Sequence, residues 1–184
     1  KPLIAWTIDA ALGSKCIDRT ILSSDDDAII TVAKTLGCDA PFLRPPELAA
    51  DISLTEDALI HALAQIPEIY DYLVLLQPTS PLRVTEDIDG AIETCHAAGA
   101  PACVSGCEPA KSPYSMFNLG DDGTLNPVSS FHYATTMLQN LPARCSPNAA
   151  VCPARVRASR RLPAAWTVCG VGVRLPPAAV CVLA

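Results

Sequence analysis

Apolar and polar residues follow two spacings along most of the chain. Apolar side chains recur at helical spacing in four stretches, residues 3–13, 28–36, 53–65 and 85–98. Short runs rich in β-branched or aliphatic residues lie between them and predict strands at 17–22, 72–76 and 102–105. Strands and helices that alternate in this order are typical of an α/β chain with a mostly parallel sheet flanked by helices.

The stretch at residues 72–76, YLVLL, is a continuous apolar run, which is typical of a strand buried on both faces. Polar side chains follow at once, and Gln77, Thr79 and Ser80 lie in a turn stiffened by two prolines. Ligands of open α/β sheets bind outside the carboxyl ends of the strands. This corner is therefore a candidate ligand site, and the alternative is a buried strand that ends in a proline turn without a ligand.

Two other polar positions allow more than one interpretation. Residues 25–27 are an acidic triplet of three aspartates. Either Ser24 or Asp25 would cap the second helix, and the alternative for the triplet is a metal or substrate contact at a strand end. Arg44 precedes a proline, where it would be a solvated surface charge or an anion clamp. Ser53 and Glu56 have the spacing of a capping box for the third helix.

The 184 residues predict one domain that is large enough for a sizeable core. All 19 acidic residues precede Gly123, so this part of the chain has an excess of negative charge. Such an excess argues against nucleic acid as a partner. No apolar run reaches the ~18–20 residues that span a bilayer, so no membrane association is expected. The opening residues do not form a signal peptide, and a cytoplasmic location is expected.

The nine cysteines are an odd number, which does not suit a complete disulfide framework. Cys16, Cys38 and Cys95 fall in or beside helical patterns as single small apolar residues, so free and mostly buried thiols are expected. None of the three histidines lies near a cysteine pair with the spacing of metal ligands, and no zinc site is predicted.

The composition changes after about residue 140. The last 44 residues hold six prolines, six arginines and four cysteines but no Asp, Glu or Lys. Periodic patterns do not persist there beyond short candidate strands near 149–154 and 168–173. We interpret residues 1–140 as one α/β domain and residues 141–184 as a degenerate or poorly ordered segment, as expected of a damaged or frame-shifted end.

Several stretches resemble the sialic acid cytidylyltransferase family. They are KPLI at 1–4, LSSDD at 22–26, FLRP at 42–45, LLQPTSPLR at 75–83 and, more faintly, PNAAV at 147–151. The stretch at 75–83 is nearly identical to the family pattern and is the most specific of them. The resemblance is close from the start to about residue 127.

The resemblance implies a Rossmann-like nucleotide-diphospho-sugar transferase fold and a homodimer. It implies that CTP and a nine-carbon keto-sugar acid of the sialic acid type react to give the CMP-sugar and pyrophosphate, with Mg²⁺ on the triphosphate. Four residues would bind the sugar acid: Gln77, Thr79, Ser80 and, as a weaker candidate, Asn148. Three would face the nucleotide: Arg44, Ser53 and Thr55. No catalytic residue is assigned.

The chain departs from the family pattern at functional positions. The family's phosphate-gripping loop lies just upstream of its KPLI, so we expect a chain without its first strand and that loop. No acid follows Asp122, although the family's metal-binding carboxylates lie near its C-terminus. Because a triphosphate and Mg²⁺ would be poorly held, we expect impaired activity. The alternative is a non-catalytic remnant that binds the sugar acid or dimerises.

Overall fold

A computed structural model describes residues 1–107, 116–128, 146–147, 150–156 and 178–183. The chain divides into two compact units, one formed by Lys1–Ser105 with Ala149–Ala184 and the other by Gly106–Asn148. The predicted boundary between residues 140 and 141 lies outside the described residues and stays a prediction. Within the described ranges, no helix is both long enough and apolar enough to cross a membrane.

The first hundred residues contain four α-helices, a 3₁₀ helix and two strands. In chain order, the elements are α1 (Leu3–Leu12), β1 (Arg19–Ser23), α2 (Asp27–Thr35), a 3₁₀ helix (Pro46–Leu48), α3 (Thr55–Gln65), β2 (Tyr72–Leu76), α4 (Thr85–Ala97), β3 (Gly106–Cys107), β4 (Phe117–Leu119), β5 (Leu125–Pro127), β6 (Ser146–Pro147), β7 (Cys152–Arg155) and β8 (Ala178–Leu183). The predicted α/β class is confirmed.

The larger unit contains a four-stranded sheet in the order β1-β8-β2-β7. Strand β8 pairs in parallel with both β1 and β2, whereas β7 pairs antiparallel to β2, with Tyr72 opposite Arg155. Two strands of the sheet therefore come from the segment after residue 141. The candidate strand at 149–154 overlaps β7, the candidate at 168–173 lies outside the described residues, and β8 was not predicted.

Strand β2 is buried along its whole length, as the continuous apolar run predicted. Successive side chains of a strand point to opposite faces. Leu73 and Leu75 pack in a cluster with three residues of α3, namely Leu59, Ala62 and Leu63. Val74 and Leu76 pack in a second cluster with residues of α1 and α4, namely Ile4, Ile8, Ile88 and Ile92. Both layers of the core are therefore anchored on one strand.

The cap of α2 lies one residue beyond the predicted candidates. The carboxylate of Asp26 accepts hydrogen bonds from the backbone N–H groups of Ala28, at 2.7 Å, and Ile29, at 3.1 Å. Ser24 is fully buried, and its hydroxyl accepts a hydrogen bond from the Asp26 N–H instead. The prediction that Ser24 or Asp25 caps this helix is wrong, because Asp26 has the extended backbone and the short side chain that an N-cap requires.

The described part of the smaller unit consists of two short antiparallel pairs. Strand β3 pairs with β6, and β4 pairs with β5 around a turn that contains Gly123 at a φ of 80°. The Asp122 carboxylate accepts hydrogen bonds from the N–H and hydroxyl groups of Thr124, which lowers the pKa of Asp122. The two strands beside this turn were not predicted.

Four cysteines are buried, namely Cys38, Cys95, Cys103 and Cys152. Burial raises the pKa of the Cys38 thiol to about 12. Burial, with the nearby Asp89 carboxylate, raises the pKa of Cys16 to about 11. Both thiols therefore remain protonated and poorly nucleophilic at neutral pH, as expected of cysteines that serve as small apolar side chains.

Two leucines near the end of β2 give a matched test of this packing. Leu76 is 0% exposed and Leu82 is 92% exposed. We expect Leu76→Ala to lower the free energy of unfolding by about 2–5 kcal/mol, because it removes buried methyl groups and leaves a cavity. Leu82→Ala should change it by less than about 0.5 kcal/mol. Urea unfolding measures both, and equal effects would contradict the placement of β2 at the centre of the core.

Candidate ligand site at the end of β2

A cavity of about 370 Å³ opens beside the carboxyl end of β2, within the size range of small-molecule sites. Its described lining comes from the segment around the 3₁₀ helix, the first turns of α3 and the corner after β2. Five of the predicted site residues line it: Arg44, Ser53, Thr55, Gln77 and Thr79. Ser80 lies in the same corner but not in the lining, and Asn148 lies outside the described residues.

The corner after β2 consists of two successive turns. The Gln77 carbonyl accepts a hydrogen bond from the Ser80 N–H at 3.3 Å, and the Ser80 carbonyl accepts one from the Arg83 N–H at 3.4 Å. Each turn has a proline at its second position, where the fixed φ of proline suits a turn. The predicted proline-stiffened corner is confirmed, and Ser80 is the residue that both turns share.

Arg44 lies in the wall of the cavity and is only 8% exposed. Its guanidinium forms an ion pair with the Asp25 carboxylate at 3.2 Å, and its backbone N–H donates to the Ser24 carbonyl. The interpretation of Arg44 as a solvated surface charge is therefore wrong. Asp25 holds the guanidinium in place and offsets part of its charge, so the acidic triplet serves both a helix cap and this ion pair.

Ser53 does not form the predicted capping box. Its hydroxyl donates a hydrogen bond to the Glu47 carbonyl at 2.6 Å, and α3 begins after Leu54 without a side-chain cap. The reason is a competing acceptor, since the end of the 3₁₀ helix places a carbonyl within reach of the hydroxyl. The start of α3 therefore reaches the cavity at Thr55 with no side-chain hydrogen bond to its first N–H groups. Their positive partial charge favours anionic ligands there, although the same turn also carries Glu56 and Asp57.

Arg83 is part of this corner, although no role was predicted for it. It is 6% exposed, and its guanidinium donates hydrogen bonds to the Gln77 carbonyl, the Thr7 hydroxyl and the Ala150 carbonyl. Burial lowers the pKa of Arg83, but this pKa starts so high that the side chain stays charged at neutral pH. Two of its acceptors, on Thr7 and Ala150, come from distant parts of the chain, and no local pattern in the sequence could identify them.

The charge of the cavity limits its chemistry. Arg44 is the one charged residue in its described lining, and no carboxylate is among these residues. No group of three or more His, Cys, Asp or Glu residues in the described ranges could hold a metal ion. These residues do not fit the protein-bound Mg²⁺ that the resemblance implies. They suit an anionic ligand that also offers hydroxyl or amide groups.

Comparison with known proteins identifies the family. The sequence profile of the cytidylyltransferase family matches residues 1–122, more than half of the chain. The chain therefore belongs to the cytidylyltransferase family. The matched range includes each of the five residues that line the cavity and were predicted as site residues.

Curated relatives cover the same part of the chain. A CMP-N,N'-diacetyllegionaminic acid synthase of Legionella pneumophila is 41% identical over 102 residues, which are 54% of this chain and 44% of the relative. An N-acylneuraminate cytidylyltransferase of Escherichia coli is 34% identical over 66% of this chain and 29% of its own length. A pseudaminic acid cytidylyltransferase of Campylobacter jejuni is 41% identical over 45% of this chain and 37% of its own. The chain thus spans less than half the length of these relatives.

Ser53 and Thr55 give a matched test of the cavity wall. The Ser53 hydroxyl has a backbone acceptor, whereas Thr55 is exposed and has no side-chain hydrogen bond to any described residue. We expect Ser53→Ala to lower the free energy of unfolding by about 0.5–1.5 kcal/mol, the net contribution of one hydrogen bond. Thr55→Val should leave it within about 0.5 kcal/mol. Urea unfolding without ligand measures both, and a stable Ser53→Ala variant would contradict the tether to Glu47.

Proposed function

We propose that this chain carries the substrate pocket of a cytidylyltransferase that activates a nine-carbon keto-sugar acid with CTP. One observation carries the proposal: Gln77 and Thr79, from the family-matched corner, line the same cavity as Arg44, Ser53 and Thr55. The names of the relatives support the proposal. Two are called cytidylyltransferases of an acid of the sialic type, and the third is called a synthase of the CMP derivative of such an acid.

In the proposed reaction, the anomeric hydroxyl oxygen of the sugar attacks the α-phosphorus of CTP. A new oxygen–phosphorus bond forms, the bond to the β-phosphate bridging oxygen breaks, and pyrophosphate leaves. Such a transfer depends mainly on positioning and on stabilisation of negative charge. As the new bond forms, the hydroxyl oxygen loses its proton to solvent water.

The roles of the pocket residues follow from their donors and acceptors. The Gln77 amide can donate to the sugar carboxylate and accept from a sugar hydroxyl, and the Thr79 hydroxyl adds a second polar contact. Arg44 and the uncapped start of α3 attract the negative charge of the nucleotide phosphates. Mg²⁺ bound to the triphosphate would neutralise part of its charge.

The finer features of the family belong to the same proposal. The parallel pairing of β1, β8 and β2, with helices that pack on both faces of β2, supports a nucleotide-diphospho-sugar transferase fold. A homodimer and a cytoplasmic location follow from the resemblance alone. The contribution of Ser80 and Asn148 to sugar binding is likewise proposed on the resemblance.

A second candidate function is sugar-acid binding without transfer, as in a remnant that retains the pocket or dimerises. The observation that favours it is the absence of carboxylates from the described cavity lining, together with the absence of acid after Asp122. This candidate predicts that the chain binds the sugar acid and releases no pyrophosphate when CTP and Mg²⁺ are added. The first candidate function predicts that pyrophosphate is released only when the sugar acid, CTP and Mg²⁺ are all present.

Replacement of Gln77 tests the sugar-acid pocket in both candidates. We expect Gln77→Ala to weaken the binding of N-acetylneuraminic acid by about tenfold to a hundredfold, since a hydrogen bond to a charged group contributes roughly 1.5–3 kcal/mol. Any pyrophosphate release should fall with it. Calorimetric titration measures the affinity.

The matched control for that experiment is Gln65→Ala, the same substitution at the exposed end of α3. It should leave the affinity for N-acetylneuraminic acid unchanged. If the unaltered chain gives no binding heat with the sugar acid and none with CTP, both candidate functions are wrong.

The ion pair of Arg44 tests the nucleotide side of the cavity with two changes of opposite sign. Arg44→Met should weaken CTP binding by about tenfold, because it removes the positive charge from the wall. Asp25→Asn should strengthen it several-fold, most clearly at low salt, because it releases the guanidinium from its carboxylate. Titration with CTP measures both. If both variants bind CTP as the unaltered chain does, Arg44 does not face the nucleotide.

A further inference from the structure

Three segments that are far apart in sequence meet at the guanidinium of Arg83. Its Nη2 donates to the Gln77 carbonyl at 2.7 Å, and its Nη1 donates to the Thr7 hydroxyl of α1 at 3.2 Å. Its Nε donates to the carbonyl of Ala150, in the segment that leads into β7. We infer that Arg83 is a positioning residue, which fixes the Gln77 carbonyl and thereby directs the Gln77 side chain into the cavity.

The partners of Arg83 indicate a role in geometry. Within the described ranges, no carboxylate lies within ion-pair distance of its guanidinium, and its acceptors are two carbonyls and one hydroxyl. Burial of a charge is costly unless its hydrogen bonds are satisfied. Arginine presents its donors in a rigid planar fork, so it can bind three acceptors in fixed directions at once. A single ammonium group cannot reproduce that arrangement.

The position of Gln77 depends on its own carbonyl. The carbonyl lies in the peptide plane between Gln77 and Pro78, so its direction constrains the ψ angle of Gln77 and thereby limits the directions open to its side chain. It accepts two hydrogen bonds, one from Arg83 and one from the Ser80 N–H. The bond from Ser80 belongs to the turn itself. The bond from Arg83 is the one that ties the turn to α1 and to the segment before β7.

This inference rests on the proposed function for its consequence, the affinity for the sugar acid, but its geometry can be tested without a ligand. The 184-residue chain is labelled with ¹⁵N, and the side-chain amide signals of Gln77 are assigned by their absence from Gln77→Ala. Three variants are compared: Arg83→Met, Arg83→Lys and, as a matched arginine control, Arg19→Met. Arg19 lies at the opposite end of β1 from the cavity and pairs with Asp39 and Glu68.

We expect the Gln77 amide signals to shift or broaden in Arg83→Met and to remain displaced in Arg83→Lys, even where Arg83→Lys melts close to the unaltered chain. Arg19→Met should leave these signals unchanged. The affinity for N-acetylneuraminic acid should fall at least fivefold in both Arg83 variants. If Arg83 only stabilised the fold, an Arg83→Lys variant with the melting temperature of the unaltered chain would also have its Gln77 signals.

Two outcomes would overturn the inference. The first is a folded Arg83→Met or Arg83→Lys variant whose Gln77 signals match those of the unaltered chain. The second applies if neither variant folds, and it is a Thr7→Val variant with unchanged Gln77 signals. Thr7→Val removes one acceptor and keeps the charge of Arg83, so displaced Gln77 signals in this variant would support the inference. If the unaltered chain does not bind N-acetylneuraminic acid, the proposed function fails, and the Gln77 signals still decide the role of Arg83.

Discussion

The burial of β2 on both faces is the constraint on which the rest of the structure depends. A strand whose side chains pack into two apolar layers cannot rotate or slip by one residue without moving each side chain into the opposite layer, where its neighbours no longer fit it. Its carboxyl end is therefore fixed in space. Because the first polar residue, Gln77, follows the last buried one, the strand delivers an amide to the edge of the core and no further.

What happens beyond that edge is decided by hydrogen bonds rather than by burial. Two prolines remove backbone donors and restrict the chain to consecutive turns, which leaves the carbonyls of the corner in need of partners. The Gln77 and Ser80 carbonyls receive N–H groups from within the turns, and Arg83 adds its guanidinium to the first of them. The corner is thus rigid for two independent reasons, one covalent and one electrostatic, and a rigid corner loses little conformational entropy when a ligand binds.

Local patterns predicted the parts of this structure that depend on neighbouring residues. The buried strand, the proline turns and the presence of helix α3 were all visible as runs, spacings and residue types. The failures were of another kind: a hydroxyl expected to cap α3 bonds to Glu47, and an arginine with no predicted role binds three segments. In each case the partner is set by tertiary packing. Strand β8 was missed for the same reason, since a short apolar run becomes a strand only when β1 and β2 flank it.

The proposed reaction requires the binding of both a sugar acid and a triphosphate, and the charges around the cavity suit these two ligands differently. A sugar acid carries one negative charge, and a pocket with an amide, hydroxyls and nearby helix N–H groups can hold it without a metal. A triphosphate carries about four negative charges and is normally bound with Mg²⁺ through carboxylates and water. The described wall offers one arginine whose charge Asp25 already offsets in part. The charge of the described wall is therefore better matched to a single carboxylate than to a triphosphate, and under the proposed function the sugar acid would bind even where the phosphate chemistry is impaired.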